Sequence, residues 1–511
     1  MWSITNIIYL LLTGLPFLAV VALVVSALRR KSRHPEKTFF NCFANNALTP
    51  LRFFRIGPYK QGTISIEAAM KHAVKKTGLK DFGDLGFADC YSKLHNSSVH
   101  RVEKYSNIGF ISARMELNMT MSRRLRLIEY LKKNPQVLET PVRSPVFVLG
   151  LPRTGTTFLH RLLSLDPATR APTLWELLES VPKIDCTDPI ADRKRRANKV
   201  RALLNTRKAM GDKALDHIHE IDADLAEECI IAMSDEIPMV MQYLHTAYVL
   251  ADEWFDIVQS SQVVKTYKWY KQVLQLLSYQ MGSPERENPK RWMLKCPIHM
   301  FYPKEIAVAF PDAKLIWNHR HPVSAVPSLC SLLKAFHSVY YETDTNDDAV
   351  LGRKVASVSA KLLIDTPKNI AESELQSADV LYHDLVNDPL QTVKDVYRQF
   401  GWEVSAEYEA IIQAYLEADR KKRERISRER AAKKVTANKA ATPPASPTKK
   451  GGGWTEADEE EEIPGTPSGK KEKKKVLHQY SPEEFSLTVE DLSTGVYAEY
   501  VRKYNLPVSM H

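Results

Sequence analysis

The sequence predicts an α/β fold built on a parallel sheet with helical additions, preceded by one transmembrane helix. Three observations predict it. Short apolar runs at Pro145–Leu149, Trp292–Leu294, Leu315–Trp317 and Val380–Tyr382 are separated by helical stretches such as TYKWYKQVLQLLSYQ, and strands alternating with helices mark a parallel sheet. The first run opens into a Gly/Thr loop followed by the helical FLHRLLSL. Finally, Ile4–Leu28 contains no charged residue; at 1.5 Å per residue it reaches about 37 Å, enough for a hydrocarbon core of about 30 Å.

Taken in order, the elements divide the chain into five parts. Residues 1–30 are the membrane anchor: nothing before Ile4 is basic, as a signal peptide would require. Arg29, Arg30, Lys31, Arg33 and Lys37 follow it directly, so the positive-inside rule places the catalytic region in the cytosol. The sequons at Asn96 and Asn118 keep a Golgi or ER lumenal location open. Residues 31–140 are a helical N-terminal region in which SARMELNMTMSRRLRLIEYLKKNP carries apolar positions at three and four spacing before a proline stop. Residues 141–420 form the α/β domain. Residues 421–475, with charge blocks of alternating sign and Pro, Gly and Ser, bury too little surface to form a core and are predicted to be a disordered insertion, whose first part could continue AIIQAYLEADR as a solvated helix. Residues 476–511 regain a helical apolar pattern and complete the domain.

Composition narrows the classes. The 511 residues are 44% hydrophobic and 26% charged, which excludes collagenous and wholly disordered chains. The six cysteines are scattered without a CxxC pair, so neither a disulfide scaffold nor a zinc module is indicated. The net charge of +10 sits at two places: residues 29–37 hold five basic side chains against one acidic, and residues 421–475 sixteen against nine. The remainder is close to neutral. Basic runs therefore lie outside the α/β region and lack interleaved aromatics, which argues against nucleic acid as a partner.

The most informative stretch is Gly150-Leu-Pro-Arg-Thr-Gly-Thr-Thr157, between a strand and a helix. Backbone N–H groups of such a loop converge on an anion, and the helix N-terminus adds about half a positive charge. The frame is that of a Walker A loop, but Thr156 stands where the lysine that reaches the β/γ-phosphates should be. That disfavours a nucleoside triphosphate and suits a nucleotide without a γ-phosphate, with Arg153 as the cation.

At these residues the chain resembles the sulfotransferase family, in the branch whose phosphate loop reads PRTGTT. The resemblance extends through HRLL (His160–Leu163), WELL (Trp175–Leu178), ADLAEEC (Ala223–Cys229), LKCPIH (Leu294–His299), NHRHPVSAVPSLCSL (Asn318–Leu332), YHDLVNDP (Tyr382–Pro389) and HQYSPEEF (His478–Phe485). It implies a P-loop NTPase-like three-layer fold that binds 3′-phosphoadenylyl sulfate and moves its sulfuryl group by in-line displacement to a hydroxyl or amine acceptor, without a metal. In the same way it assigns Arg153, Thr154, Gly155, Thr156 and Thr157 to the 5′-phosphosulfate, and Arg320 and Ser328 to the 3′-phosphate. Guanidinium forks and hydroxyls suit phosphate oxygens.

Transfer of this kind needs a cation for the leaving oxygen and a base for the acceptor proton. Arg153 and Lys295 are candidates for the first role. His299 is the family-like candidate for the second, although its members read Lys-x-His where Cys296, Pro297 and Ile298 intervene here. Glu176, Glu227 and Glu228 compete with it. His217 and His219 read better as surface histidines than as metal ligands. Tyr243, Tyr248, Trp254 and Trp269 could line an acceptor cleft or be core. A small-molecule, lipid or carbohydrate acceptor stays open. So do two other readings: a P-loop kinase or NTPase, and a non-catalytic membrane protein on a nucleotide-binding fold.

Overall fold

The computed structural model describes residues 22–30, 39–60, 64–96, 104–209, 220–238, 257–282, 289–342, 347–441 and 481–507. Residues 4–21 of the apolar run, His217, His219, Tyr243, Tyr248 and Trp254 lie outside them. Among the described residues no helix is long and apolar enough to cross a membrane.

Five parallel strands form one sheet in the order β2-β3-β1-β4-β5, with β1 Val146–Leu149, β2 Thr169–Arg170, β3 Arg291–Lys295, β4 Lys314–His319 and β5 Gln376–Leu381. β1 is central: Val146 pairs with Met293 on one side and with Lys314 on the other. All four of its residues are buried although successive side chains face opposite sides. Both faces of the sheet are therefore covered, which is why β1 reads as an unbroken apolar run. At the edge, β5 exposes Gln376, Ser377 and Asp379, so the apolar signal marks only its end, and Tyr382 belongs to the next helix. Two-residue β2 leaves no apolar signature at all.

The N-terminal region is helical, with α1 Phe39–Phe53, α2 Ile66–Thr77, α3 Gly86–Asn96 and α4 Asn107–Lys133. α4 stops two residues before Pro135 and contains the Asn118 sequon, whose Thr120 is buried. Its Arg123 and Arg124 are buried and carry charge into the interior; Arg123 Nη2 meets Asp235 Oδ1 at 2.5 Å and Arg124 Nη1 meets Glu236 Oε1 at 2.6 Å. Arg124 also lies 4.5 Å from the ring centre of Trp269. That aromatic is therefore a core residue. At Gly109 a Cβ would stand 1.9 Å from the Tyr340 carbonyl oxygen, so only glycine permits this approach of α4.

Beyond the phosphate loop run α5 Thr156–Leu163, α6 Leu174–Leu178, α7 Pro189–Ala209, α8 Ile230–Met233, α9 Ser260–Tyr279, α10 Pro303–Ala309, α11 Pro322–Tyr340, α12 Asp348–Ser373, α13 Tyr382–Asn387 and α14 Pro389–Gln399. The C-terminal residues close the same unit. Phe485 and Tyr497 are buried in the main core, and the Tyr497 hydroxyl donates to the Ala356 carbonyl at 2.6 Å.

A separate unit covers residues 405–479. Its α15, Ala406–Ala441, runs on through the first part of the charged stretch. The reason is local: Arg420 pairs with Glu417 and Glu424, and Arg423 with Asp419, one helical turn apart. Residues 442–480 lie outside the described residues.

Candidate active site

The predicted site residues Arg153, Lys295 and Arg320 follow or end strands at their carboxyl ends, where a parallel sheet whose chain leaves β1 first to one side and later to the other places a ligand. β1 feeds the phosphate loop. Gly150 and Gly155 are required there: a Cβ on Gly150 would stand 2.8 Å from the Asn318 carbonyl oxygen, and a Cβ on Gly155, at φ 88°, would stand 2.9 Å from the Tyr382 ring. Between them Arg153 takes the left-handed conformation at φ 73°, a cost of about 1–3 kcal/mol that the surroundings must offset. Three contacts fix it. Arg320 Nη1 donates to the Arg153 carbonyl at 2.7 Å, Asn318 Nδ2 donates to the Thr154 carbonyl at 2.6 Å, and the buried Thr154 hydroxyl donates to the Leu151 carbonyl at 2.7 Å. Thr156 and Thr157 then open α5, where the first-turn N–H groups have no helical partner.

The second predicted phosphate motif arrives at the same place. Arg153 Nε donates to Ser328 Oγ of α11 at 3.1 Å. Arg320, just past β4, lies 4.1 Å from the centre of the Tyr382 ring. Burial pulls its guanidinium down from the ordinary value, Tyr382 opposes this, and Arg153 adds to it; an anion between the two arginines would relieve that cost. His319 below is buried, bonded to Tyr500 through Nδ1 and to Asp379 through Nε2, each at 2.9 Å. Burial, opposed by Asp379, pulls it down.

On the other side of β1, the buried Lys295 ends β3 beside Val148. Cys229 N donates to the Lys295 carbonyl at 3.1 Å, which docks the ADLAEEC segment on this strand. Lys295 Nζ meets Glu228 Oε1 at 2.6 Å. Burial would pull the ammonium down, but Glu228 and then Glu227 outweigh it, and the net shift is upward. Lys295 therefore stays charged.

His299 lies deeper than its predicted role supposes. It is fully buried in a short 3₁₀ turn, Pro297–Phe301, with its ring edge-on to Phe147 of β1 at 5.0 Å and Nδ1 2.8 Å from the Tyr267 hydroxyl. Burial and then Lys295 push it down to about 3. Its Nε2 has no partner among the described residues.

Glu176 is placed differently again. Its Oε1 accepts from Arg170 at 2.7 Å, while Oε2 accepts from the Thr173 backbone N–H at 3.0 Å and the Thr173 hydroxyl at 3.2 Å, closing a capping box at the start of α6. Both oxygens are thus engaged at the helix start and the β2 edge. Asn318 and Tyr382 escaped sequence reasoning. Their only signal was position, one two residues before Arg320 and the other directly after the last strand.

Residues 145–406 match the sulfotransferase family. The chain belongs to that family. Among its relatives are the omega-hydroxy-beta-dihydromenaquinone-9 sulfotransferases Stf3 of Mycobacterium bovis and Mycobacterium tuberculosis, each 27% identical over 280 residues, or 52% of this chain. The match spans 65% of the length of those relatives. Sulfotransferase STF9 from Mycobacterium avium shares the fold, with a TM-score of 0.61 at 24% identity over 87% of this chain and 97% of that one. Sulfotransferase STF1 from Mycobacterium tuberculosis follows at 0.56 and 25% identity, covering 69% and 93%.

Proposed function

We propose that the chain transfers the sulfuryl group of 3′-phosphoadenylyl sulfate to a hydroxyl of a lipid-like acceptor. The observation that carries this is the meeting of Arg153, Arg320 and Ser328 at the end of β1 and β4. Two arginines, a hydroxyl, a helix N-terminus and two glycines whose Cβ atoms would crowd the loop make a cradle for a nucleotide with phosphates at both ends. When bound, the nucleotide supplies an activated sulfuryl group. The residues present fit it: Arg153, Gly155, Thr156, Thr157 and the Thr154 backbone hold the 5′ end, and Arg320 and Ser328 hold the 3′-phosphate.

Lys295 holds a positive charge beside the loop, where it offsets negative charge developing on the leaving oxygen. For the acceptor proton, the placement of the side chains favours Glu228. It stands at the strand ends next to Lys295 and is partly exposed, whereas His299 is enclosed by Phe147 and Tyr267. A second assignment, His299 as the base, rests on its unpartnered Nε2.

The relatives' name supports a hydroxyl on a lipid as acceptor. The charge-free run Ile4–Leu28 and the basic residues after it support a single-pass anchor with the catalytic region in the cytosol. Incubation of the full chain with radiosulfur-labelled 3′-phosphoadenylyl sulfate and vesicle-dispersed prenyl alcohols tests the reading. Label appears in the lipid fraction if the reading holds. Label that is released only as inorganic sulfate contradicts it.

A further inference from the structure

We infer that the turn after α1 is a membrane-docking surface that inserts aromatic side chains into the headgroup layer of an anionic bilayer. The inference does not depend on the reaction. Phe53, Phe54 and Ile56 are 78%, 67% and 54% exposed, and Phe39 and Phe40 at the other end of α1 are each about two-fifths exposed. Large apolar side chains gathered this way on one segment mark an interaction surface.

Its backbone is prepared for an apolar setting. Phe54 N donates to the Pro50 carbonyl at 2.9 Å, Arg55 N to Arg52 at 3.2 Å and Ile56 N to Leu51 at 2.8 Å. The N–H groups of the protruding turn are thus satisfied internally, which matters because unsatisfied ones are costly in lipid. Arg55, at φ 54°, and Gly57, at φ 60°, shape the turn. Its base is fastened to the body: Arg52 Nη1 donates to the Tyr105 carbonyl at 2.6 Å, and the Tyr59 hydroxyl donates to the Asn107 carbonyl at 2.9 Å. The aromatics are held out by a fixed support.

Charge and chain continuity identify the occupant. From Phe39 to Lys60 there is no Asp or Glu, while Arg52, Arg55 and Lys60 are present, and Arg55 and Lys60 are exposed. Basic side chains beside exposed Phe and Ile suit an anionic lipid surface. The helix at residues 22–30, which ends the apolar run, packs on α1 through Asn46 Nδ2 to Ser26 Oγ and Arg30 Nη1 to Asn46 Oδ1, each 3.0 Å. It exposes Val25 and Leu28. The segment expected to enter the bilayer is thus fastened to α1 and, like α1, exposes apolar side chains.

The test uses the full chain in vesicles of phosphatidylcholine and phosphatidylserine, with the photoreactive p-benzoylphenylalanine placed at position 53 or 54. Position 308 is the control, because Val308 on α10 is 60% exposed and equally apolar. Irradiation yields several-fold more lipid adduct at 53 and 54 than at 308, and Arg55→Glu lowers the yield at 54. Equal lipid labelling at all three positions overturns the inference. So does cross-linking of 53 and 54 to a second copy of the chain.

Discussion

Glu228→Gln separates chemistry from binding. The side chain reaches Lys295 Nζ at 2.6 Å on the β3 side of the loop, whereas Arg153, Arg320 and Ser328 meet on the β4 side. Losing a positioned general base costs about 10²–10⁴-fold, so kcat for label transfer falls by that factor, about 3–5 kcal/mol in the barrier. Affinity for adenosine 3′,5′-bisphosphate changes little. Breaking a buried ion pair by removing one partner costs about 3–5 kcal/mol. Glu228 is partly exposed and the amide keeps a hydrogen-bonding oxygen, so the loss of fold stability is smaller, about 1–2 kcal/mol after that screening. Single-turnover transfer, calorimetry and urea unfolding on the same preparation read the three quantities. His299→Asn is the companion variant: it loses the Tyr267 bond and core packing, with transfer per folded molecule nearly unchanged. If Glu228→Gln keeps transfer within about tenfold, about 1.4 kcal/mol, while His299→Asn abolishes it, the assignment is refuted and the base is His299.

Three more outcomes are expected. Arg320→Ala weakens adenosine 3′,5′-bisphosphate by about 100-fold, the worth of one or two charge-assisted hydrogen bonds, but weakens adenosine 5′-phosphosulfate far less; equal losses for the two ligands on calorimetry would remove Arg320 from the 3′-phosphate. Gly109→Ala forces the Tyr340 carbonyl away from a Cβ at 1.9 Å and lowers stability by about 3 kcal/mol or more, read as a reduced midpoint in thermal unfolding. His160 and His299 are buried with values pushed down by burial, and then by Lys295, to about 4 and about 3. Below pH 6.5 the unfolded chain binds protons that the folded chain refuses, so stability is unaffected above that point and falls as the pH drops towards 4. Each histidine contributes about 1 kcal/mol per pH unit to that slope, and His160→Asn flattens it in urea titrations.

The sheet was legible because a parallel strand covered on both faces must be apolar throughout. Phe147 and Leu294 announced themselves, whereas edge strand β5, with Gln376, Ser377 and Asp379 exposed, and two-residue β2 did not. The phosphate loop was legible because glycine spacing reports backbone conformation directly. Its contact with Ser328, 175 residues further along, came from family likeness, since no local pattern encodes a meeting across two strands. Catalytic assignments were least legible. Glu176 and Glu228 are both glutamates on short helical or turn segments, and only the tertiary arrangement gives one to a capping box and the other to Lys295. The enclosure of His299 was not legible, because it depends on Phe147 and Tyr267, both distant in sequence. In the charged segment after residue 420, low apolar content forbids a core but not a solvated helix held by pairs such as Arg420 and Glu424.

A loop with Thr156 in place of a lysine, and with Arg320 and Ser328 beside it, should prefer a nucleotide phosphorylated at both 3′ and 5′. Calorimetric titration of the full chain with adenosine 3′,5′-bisphosphate, and in parallel with ATP and Mg²⁺, measures this directly. Saturable binding of the bisphosphate is expected, at least about tenfold tighter than that of ATP, a difference of about 1.4 kcal/mol. Tight, magnesium-dependent ATP binding with no response to the bisphosphate would contradict it.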